Sequence, residues 1–173
     1  SIAHGADYVS YFRWRTCTFG TEMYWHGILD YSGRENRRLR EICEIQKKIE
    51  NLQELAGAKY DARVAIVRDY DNLWDAELDH WHGRIDRKSQ DSLFIAMQHL
   101  HVPFDYINLP AKENESGAEG QEIADDHEIV KKLSHYDVLF YPHPEILTKR
   151  QITILEQYVA AGGKLVFGCR TGQ

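Results

Sequence analysis

The sequence predicts an α/β protein built on a parallel sheet, preceded by a smaller region of different character. From Tyr60 onward, four short apolar runs alternate with segments of helical periodicity. Those segments are long enough to cross from one parallel strand to the next. Before them, an aromatic run, a glycine-containing loop and one long helix follow each other. We therefore expect two regions, residues 1–57 and residues 58–173.

The first region opens with a predicted strand and a loop. "DYVSYFRWR", residues 7–15, is rich in aromatic side chains, which favour a strand buried on at least one face. "TFGTEMYWHGILDYSG", residues 18–33, sets aromatic side chains between glycines and other turn-forming residues and carries Glu22 among them. A concave, partly apolar wall that holds one acid suits the recognition of a sugar.

A long amphipathic helix is predicted after this loop. Ser32 and Glu35 have the spacing of a capping box, and Gly57 is a helix stop. The polar face is rich in Arg and Lys, and we expect it to be solvated. The apolar positions recur at steps of three and four residues; they are Leu39, Ile42, Ile45, Ile49, Leu52 and Leu55.

The second region alternates strands with helices. The predicted strands are "RVAIVRDY", "VPFDYINLP", "DVLFYPHP" and "KLVFG", and the predicted helices are "SLFIAMQHLH", "IADDHEIVKKLSHY" and "TKRQITILEQYVAAGG". The last helix has a capping box of Thr148 and Gln151 and a stop at Gly162, while "AKENESGAEGQE" is a surface loop. Because parallel crossovers are right-handed, we predict a doubly wound, flavodoxin-like sheet with strand order 2-1-3-4.

Composition excludes several classes of partner. The formal net charge of −6 and the lack of a basic run argue against nucleic-acid binding, and a neutral ligand or a protein is the expected partner. No stretch approaches the roughly 20 apolar residues of a membrane span. The three cysteines, Cys17, Cys43 and Cys169, are odd in number and widely spaced, which favours reduced thiols and a cytoplasmic location.

The strand ends of the second region do not carry the signals of cofactor or phosphate chemistry. The segment "RDYDNLW" after the first strand has no glycine fingerprint for a nucleotide or flavin, so no cofactor is expected. Asp69 and Asp71 could be the acidic pair of a phospho-acceptor site. Such a site also needs an Asp at the end of the third strand, where the sequence has Tyr141, Pro142 and His143. We therefore reject that interpretation.

Two further clusters have a possible chemical role. "DAELDHWHGR" contains Glu77, Asp79, His80 and His82, and an H-x-H with nearby acids can hold a metal, but solvated polar side chains are favoured and no metal is predicted. Cys169 follows the fourth strand, as a nucleophile elbow would. The glycine spacing around it does not fit such an elbow, so a buried, inert thiol is predicted.

The two regions together carry a resemblance to one family. "AHGADYVSYFRWR" followed by "GTEMYWHGILDYSGRENRRLREI" resembles the last strand, loop and helix of the catalytic (β/α)8 barrel in glycoside hydrolase family 42 β-galactosidases. From about Tyr60 onward the sequence resembles the flavodoxin-like trimerisation domain of the same family, up to the motif "RTG" that begins at Arg170. The resemblance covers essentially the whole chain.

The resemblance implies which residues contact substrate. Loops that follow the strands of such a barrel build its active site, and by resemblance Glu22 hydrogen-bonds galactose hydroxyls while Phe12 forms part of the apolar wall. Many members have a sugar-contacting His three residues after this Glu. Here Trp25 occupies that position and His26 follows it, so both are candidate substrate-binding residues.

The resemblance also implies an activity and an assembly. The family hydrolyses terminal non-reducing β-D-galactose residues with two carboxylates about 5 Å apart. Both carboxylates are expected upstream of Ser1, so we expect a fragment that is inactive alone, has no catalytic residue of its own, is truncated in its second domain and self-associates as a homotrimer. The alternative is a non-catalytic α/β binding or scaffold module whose front strand and helix pack on its own sheet.

Overall fold

The computed structural model describes residue 2 and residues 5–79, 81, 83–110 and 125–172. The chain divides into two compact units, Ser1–Tyr60 and Asp61–Gln173, and each is described by itself. None of the helices in the described ranges is both long and apolar enough to cross a membrane.

The first unit contains one α-helix, α1, which spans Arg37–Glu50, and a 3-10 turn at Gln53–Leu55. The predicted capping box of Ser32 and Glu35 is wrong, because the helix begins later. Its N-cap is Asn36, whose side chain accepts a hydrogen bond from the backbone N–H of Leu39. The helix also ends before the predicted stop at Gly57, and no side chain along its fully described length is buried.

The predicted strand over residues 7–15 is not present as a strand. Pairing in the described part of the first unit amounts to one isolated parallel bridge between Arg15 and Leu29. The aromatic side chains of the segment are exposed, among them Tyr8, which is 83% exposed. The physical reason is that aromatic and β-branched residues form a strand only where a neighbouring strand pairs with the backbone and a packed face covers the side chains.

The described residues of the second unit form four strands and four helices. In chain order they are β1 (Val64–Val67), α2 (Tyr70–Leu78), α3 (Ile85–His99), β2 (Phe104–Ile107), α4 (Asp126–Leu133), β3 (Val138–Tyr141), α5 (Lys149–Ala160) and β4 (Lys164–Phe167). The four predicted strands and three predicted helices are confirmed, and so is the capping box of Thr148 and Gln151 at the start of α5. The predicted surface loop of residues 111–122 lies outside the described residues.

The four strands form one parallel sheet in the order β2-β1-β3-β4, which confirms the predicted order. Val64 of β1 lies opposite Phe104 on one side and Val138 on the other. The core consists of side chains from β1, β3 and α5, together with Leu133 of α4 and Leu109 after β2. The central strands of a parallel sheet are covered on both faces. The carboxyl ends of the strands lie at one edge of this sheet, where ligand sites of such folds are found.

Helix α2 lies in a segment for which no helix was predicted. Its N-cap is Asp69, whose carboxylate accepts hydrogen bonds from the backbone N–H groups of Asp71 and Asn72. The buried face of the helix carries Asn72 and Ala76, whereas Trp74 is 60% exposed. The helix was missed because a polar side chain on the buried face and an aromatic one in solvent reverse the usual amphipathic pattern.

Candidate functional site

The base of the loop of residues 18–33 is a short parallel contact between its two ends. The backbone N–H of Thr16 donates to the carbonyl of Leu29 at 2.9 Å, and the N–H of Leu29 donates to the carbonyl of Trp14 at 2.8 Å. The buried Thr16 hydroxyl donates to the Leu29 carbonyl and accepts from the N–H of Gly27. A Cβ at Gly27 would lie 2.5 Å from the carbonyl carbon of Arg15, so this close approach requires glycine.

The end of the loop is joined to helix α1 through one side chain. The amide nitrogen of Asn36 donates to the carbonyl of Ile28 at 3.0 Å, while its amide oxygen caps the helix through the N–H of Leu39 at 3.1 Å. Before it, the Asp30 carboxylate accepts from both the hydroxyl and the N–H of Ser32, and these hydrogen bonds lower the pKa of Asp30. The loop is therefore held by hydrogen bonds to the residues that flank it on both sides, Trp14 and Thr16 before it and Asn36 after it.

Glu22 lies in a tight turn at the far end of the loop. The turn is closed by hydrogen bonds from the N–H of Met23 to the Gly20 carbonyl and from the N–H of Trp25 to the Glu22 carbonyl. Gly20 and Tyr24 both have a φ near +80°, a left-handed conformation that tight turns use. The Glu22 carboxylate forms an ion pair with Arg13 and keeps half of its side-chain surface exposed. It can thus accept further hydrogen bonds.

An aromatic pair lies beside this ion pair. The rings of Phe12 and Trp25 meet edge to face, with centroids 6.1 Å apart and an angle of 77° between their planes. The Arg13 guanidinium lies over the Phe12 ring, 4.8 Å from its centroid, as in a cation–π contact. Arg13 therefore connects the acid to the aromatic pair through its two contacts.

The structure brings together three of the four predicted site residues, namely Phe12, Glu22 and Trp25, through contacts that run by way of Arg13. The fourth, His26, is exposed, and its side chain makes no hydrogen bond, ion pair or ring contact with the described residues. Arg13 was not predicted as a site residue, because in the strand expected over residues 7–15 the side chains of residues 12 and 13 would point to opposite faces. The one feature of the sequence that could have indicated Arg13 is Glu22 itself, because an acid among aromatic side chains is stabilised by a nearby cation.

The strand-end cluster of the second unit is a structural network. One Asp69 oxygen accepts from the Tyr141 hydroxyl at 2.5 Å and from the Gln151 amide at 3.1 Å, while the other caps α2. Burial, together with the Asp69 carboxylate, raises the pKa of Tyr141. These hydrogen bonds engage both Asp69 oxygens, in keeping with the rejection of a phospho-acceptor site.

Two further sequence features, the candidate metal cluster and Cys169, can be compared with the structure. His80 and His82 lie outside the described residues, and no group of three potential ligands occurs among the side chains that are described. The prediction of a buried Cys169 is wrong. Cys169 is exposed, because it follows β4, a strand at the edge of the sheet.

Comparison with known proteins identifies the class to which these two units correspond. Residues 1–52 match the family model described as β-galactosidase, and residues 124–173 match the model described as β-galactosidase trimerisation domain. The class is thus a glycosidase with an attached trimerisation domain. The family that this chain resembles along its length is glycoside hydrolase family 42, the β-galactosidases, which confirms the resemblance inferred from the sequence.

Individual relatives agree with this family. The chain is 30% identical over 183 residues to the β-galactosidase BgaH of Haloferax lucentense, with 100% of this chain and 22% of the relative covered. It is 28% identical over 174 residues to the β-galactosidase BgaA of Clostridium cellulovorans, covering 99% of this chain and 23% of the relative. The crystal structure of a β-galactosidase from the psychrophilic Marinomonas ef1 matches with a TM-score of 0.75 and 26% identity, covering 99% of this chain and 24% of that one.

Proposed function

We propose that this chain is a segment of a β-galactosidase and supplies one wall of its galactoside site. The observation that carries the proposal is the half-exposed Glu22 carboxylate, held beside the Phe12–Trp25 ring pair by a loop that is anchored at both ends. A galactoside has hydroxyl groups that donate to a carboxylate and a C–H face that packs on aromatic surface. The wall offers both contacts.

Within this proposal each side chain has a separate role. Glu22 accepts hydrogen bonds from sugar hydroxyls, and such charge-assisted hydrogen bonds are the strong ones. Arg13 orients Glu22 and neutralises it when no sugar is bound. Phe12 and Trp25 form the apolar surface, and the exposed His26 is a polar donor at the rim.

The reaction itself needs groups that this wall does not provide. We place the acid/base and nucleophile carboxylates of a retaining mechanism, about 5 Å apart, on strands of the barrel that precede Ser1. The chain covers only 22% of BgaH and 23% of BgaA, which leaves ample length for those strands. We place the boundary between the barrel segment and the trimerisation domain at residues 57 and 58.

Self-association and location complete the proposal. The match of residues 124–173 to a trimerisation domain supports assembly of this protein into a homotrimer through the second unit. Three cysteines, all of them free thiols in the structure, support a cytoplasmic location.

Hydrolysis of a chromogenic galactoside tests the proposed function. We expect no hydrolysis above background by the 173-residue chain, and hydrolysis by the polypeptide that continues upstream through a complete barrel. Hydrolysis by the short chain would contradict the placement of the catalytic carboxylates. A longer polypeptide that folds but cleaves no galactoside would contradict the proposed activity and favour the binding or scaffold module.

A further inference from the structure

Three chemically active side chains of the second unit meet at the carboxyl ends of β3 and β4. The Cys169 sulfur lies 3.7 Å from Nδ1 of His143, and Nε2 of the same ring lies 3.2 Å from the Oε2 oxygen of Glu145. His143 is 3% exposed, whereas Cys169 is exposed. The thiol, the imidazole and the carboxylate are therefore connected by successive contacts, as a nucleophile, a base and a group that orients the base would be, and the thiol is open to solvent.

The carboxylate decides which ring nitrogen carries the proton. An ionised Glu145 can only accept hydrogen bonds, so Nε2 of His143 is the protonated nitrogen of the neutral ring. Nδ1 then directs its lone pair at the Cys169 sulfur. This is the polarity that a base needs in order to take a proton from a thiol.

The charged surroundings of His143 come from several elements. Glu145 also accepts from Arg170 at 3.3 Å, and Arg170 in turn pairs with Asp79 at 2.8 Å. The buried Asp86 at the start of α3 interacts electrostatically with His143. The carboxylates of Glu145 and Asp86 and the guanidinium of Arg170 are therefore the charged groups around the ring.

The backbone holds Cys169 in place beside the ring. The N–H of Gly168 donates to the carbonyl of Tyr141 at 2.8 Å, and a Cβ at Gly168 would lie 1.9 Å from the carbonyl oxygen of Pro142. Only glycine allows this approach between the ends of β3 and β4. Beyond the cysteine, the N–H of Gly172 donates to the carbonyl of Pro144 at 3.0 Å, so the turn is fixed on both sides.

We propose that Cys169 is a reactive thiol, activated by His143, that forms mixed disulfides with small disulfide molecules. The Cys169 sulfur attacks one sulfur of the small disulfide while its proton passes to Nδ1 of His143. A new S–S bond forms, the original S–S bond breaks, and the departing thiolate takes the proton back from the ring. Electrons and protons balance without any further oxidant, because the small disulfide is the oxidant.

The rate of mixed-disulfide formation at each cysteine tests this proposal. The probe is the neutral disulfide of mercaptoethanol, added to the folded chain at about pH 7, near the ordinary pKa of histidine, and followed by mass spectrometry of the peptides. Cys43 is the internal control, since it is an exposed thiol on helix α1. We expect Cys169 to react at least about tenfold faster than Cys43, and His143→Gln to remove the difference without changing the rate at Cys43.

Equal rates at Cys169 and Cys43 in the wild-type chain would overturn the proposal, and so would an unchanged Cys169 rate in a folded His143→Gln variant. Because His143 is buried, that variant could fail to fold, which circular dichroism would show. The Glu145→Gln variant is then the second test, since it keeps the His143 ring and replaces the carboxylate that contacts Nε2. A several-fold slower formation of the mixed disulfide at Cys169 supports the proposal, and an unchanged rate overturns it.

Discussion

At the scale of single residues, Asp86 is a carboxylate that the second unit buries and must therefore compensate. The residue is 1% exposed, and two nitrogens of Arg84 hold its two oxygens at 3.1 Å each. Burial alone would raise the pKa of Asp86, but the hydrogen bonds from Arg84 and from the backbone of Arg87 outweigh it and lower the pKa. The ionised form is thus favoured in the folded state.

This pKa shift predicts how stability depends on pH. Because the pKa of folded Asp86 lies below the ordinary value of 3.8, its contribution is present above about pH 4 and is lost as the pH falls through the folded pKa. We expect Asp86→Asn to lower the free energy of unfolding by about 2 kcal/mol at neutral pH, a value reduced for the partial exposure of Arg84. The variant should also lose stability less steeply as the pH falls below about 4.

Urea denaturation of both proteins across this pH range is the measurement. Asp91→Asn is the matched control, since Asp91 is an exposed carboxylate on the same helix, ion-paired with Arg87. Parallel pH profiles for the wild-type chain and Asp86→Asn would mean that Asp86 contributes nothing to acid sensitivity.

At the scale of elements, helix α5 ends against two glycines that serve different purposes. Gly162 has a φ of +100°, and a Cβ added there would meet nothing within 4 Å, whereas a Cβ at Gly163 would lie 2.1 Å from the ring of Tyr158. That ring is fully buried, and its hydroxyl donates to the carbonyl of Tyr136 at 2.9 Å. It has no room to move aside.

We therefore expect the same substitution to lower the free energy of unfolding by different amounts at the two glycines. Gly163→Ala should destabilise the second unit by about 3 kcal/mol through overpacking. Gly162→Ala should cost about 1 kcal/mol through left-handed backbone strain alone. Thermal or urea unfolding of the two variants measures the difference, and equal losses would contradict the close packing of Tyr158 on Gly163.

The elements also show where sequence patterns suffice. The four strands, their order and α5 were predicted because continuous apolar runs and the Thr148–Gln151 capping box are local signals that agree with the tertiary packing. Helix α2 was missed because Asn72 is buried through two hydrogen bonds with the backbone of Ile146, a partner 74 positions away. A partner so distant in the sequence leaves no local pattern.

In the loop of residues 18–33 too, some features could be predicted from the sequence and others depend on the three-dimensional structure. Its composition led to the prediction of a sugar wall with Glu22 as the acid. The contact of Glu22 with Arg13, however, depends on a turn in which Gly20 and Tyr24 adopt a left-handed backbone conformation. Sequence alone predicts such a conformation at Gly20 and disfavours it at Tyr24. The cation beside the acid therefore became visible only in three dimensions.

At the scale of the whole molecule, helix α2 presents an exposed apolar face at which the proposed self-association can be tested. Tyr70, Trp74 and Leu78 are 47%, 60% and 71% exposed and lie four residues apart on one side of α2. Exposed apolar patches of this kind mark interaction sites. We therefore expect this face of α2 to take part in the proposed self-association.

We expect Trp74→Ala to weaken self-association on the order of tenfold, since exposed tryptophans at interfaces often dominate binding. Sedimentation velocity over a concentration series measures it. Ile95→Ala is the matched control, because Ile95 is an exposed apolar residue on α3, 52% exposed. A clean monomer at high concentration, or identical profiles for Trp74→Ala and the wild type, would contradict this account.

Glu22 is proposed to bind the substrate, and the steady-state kinetics of Glu22→Gln in the longer polypeptide with a complete barrel test that role. A charge-assisted hydrogen bond to a substrate hydroxyl is worth about 1.5–3 kcal/mol, so we expect kcat/KM for a galactoside to fall about 10- to 100-fold. Glu41→Gln is the control, an exposed glutamate on α1 that is also paired with an arginine, Arg37; it should retain wild-type kinetics. An unchanged kcat/KM in a folded Glu22→Gln enzyme would show that Glu22 is only a solvated loop acid and that the aromatic loop is not a sugar wall.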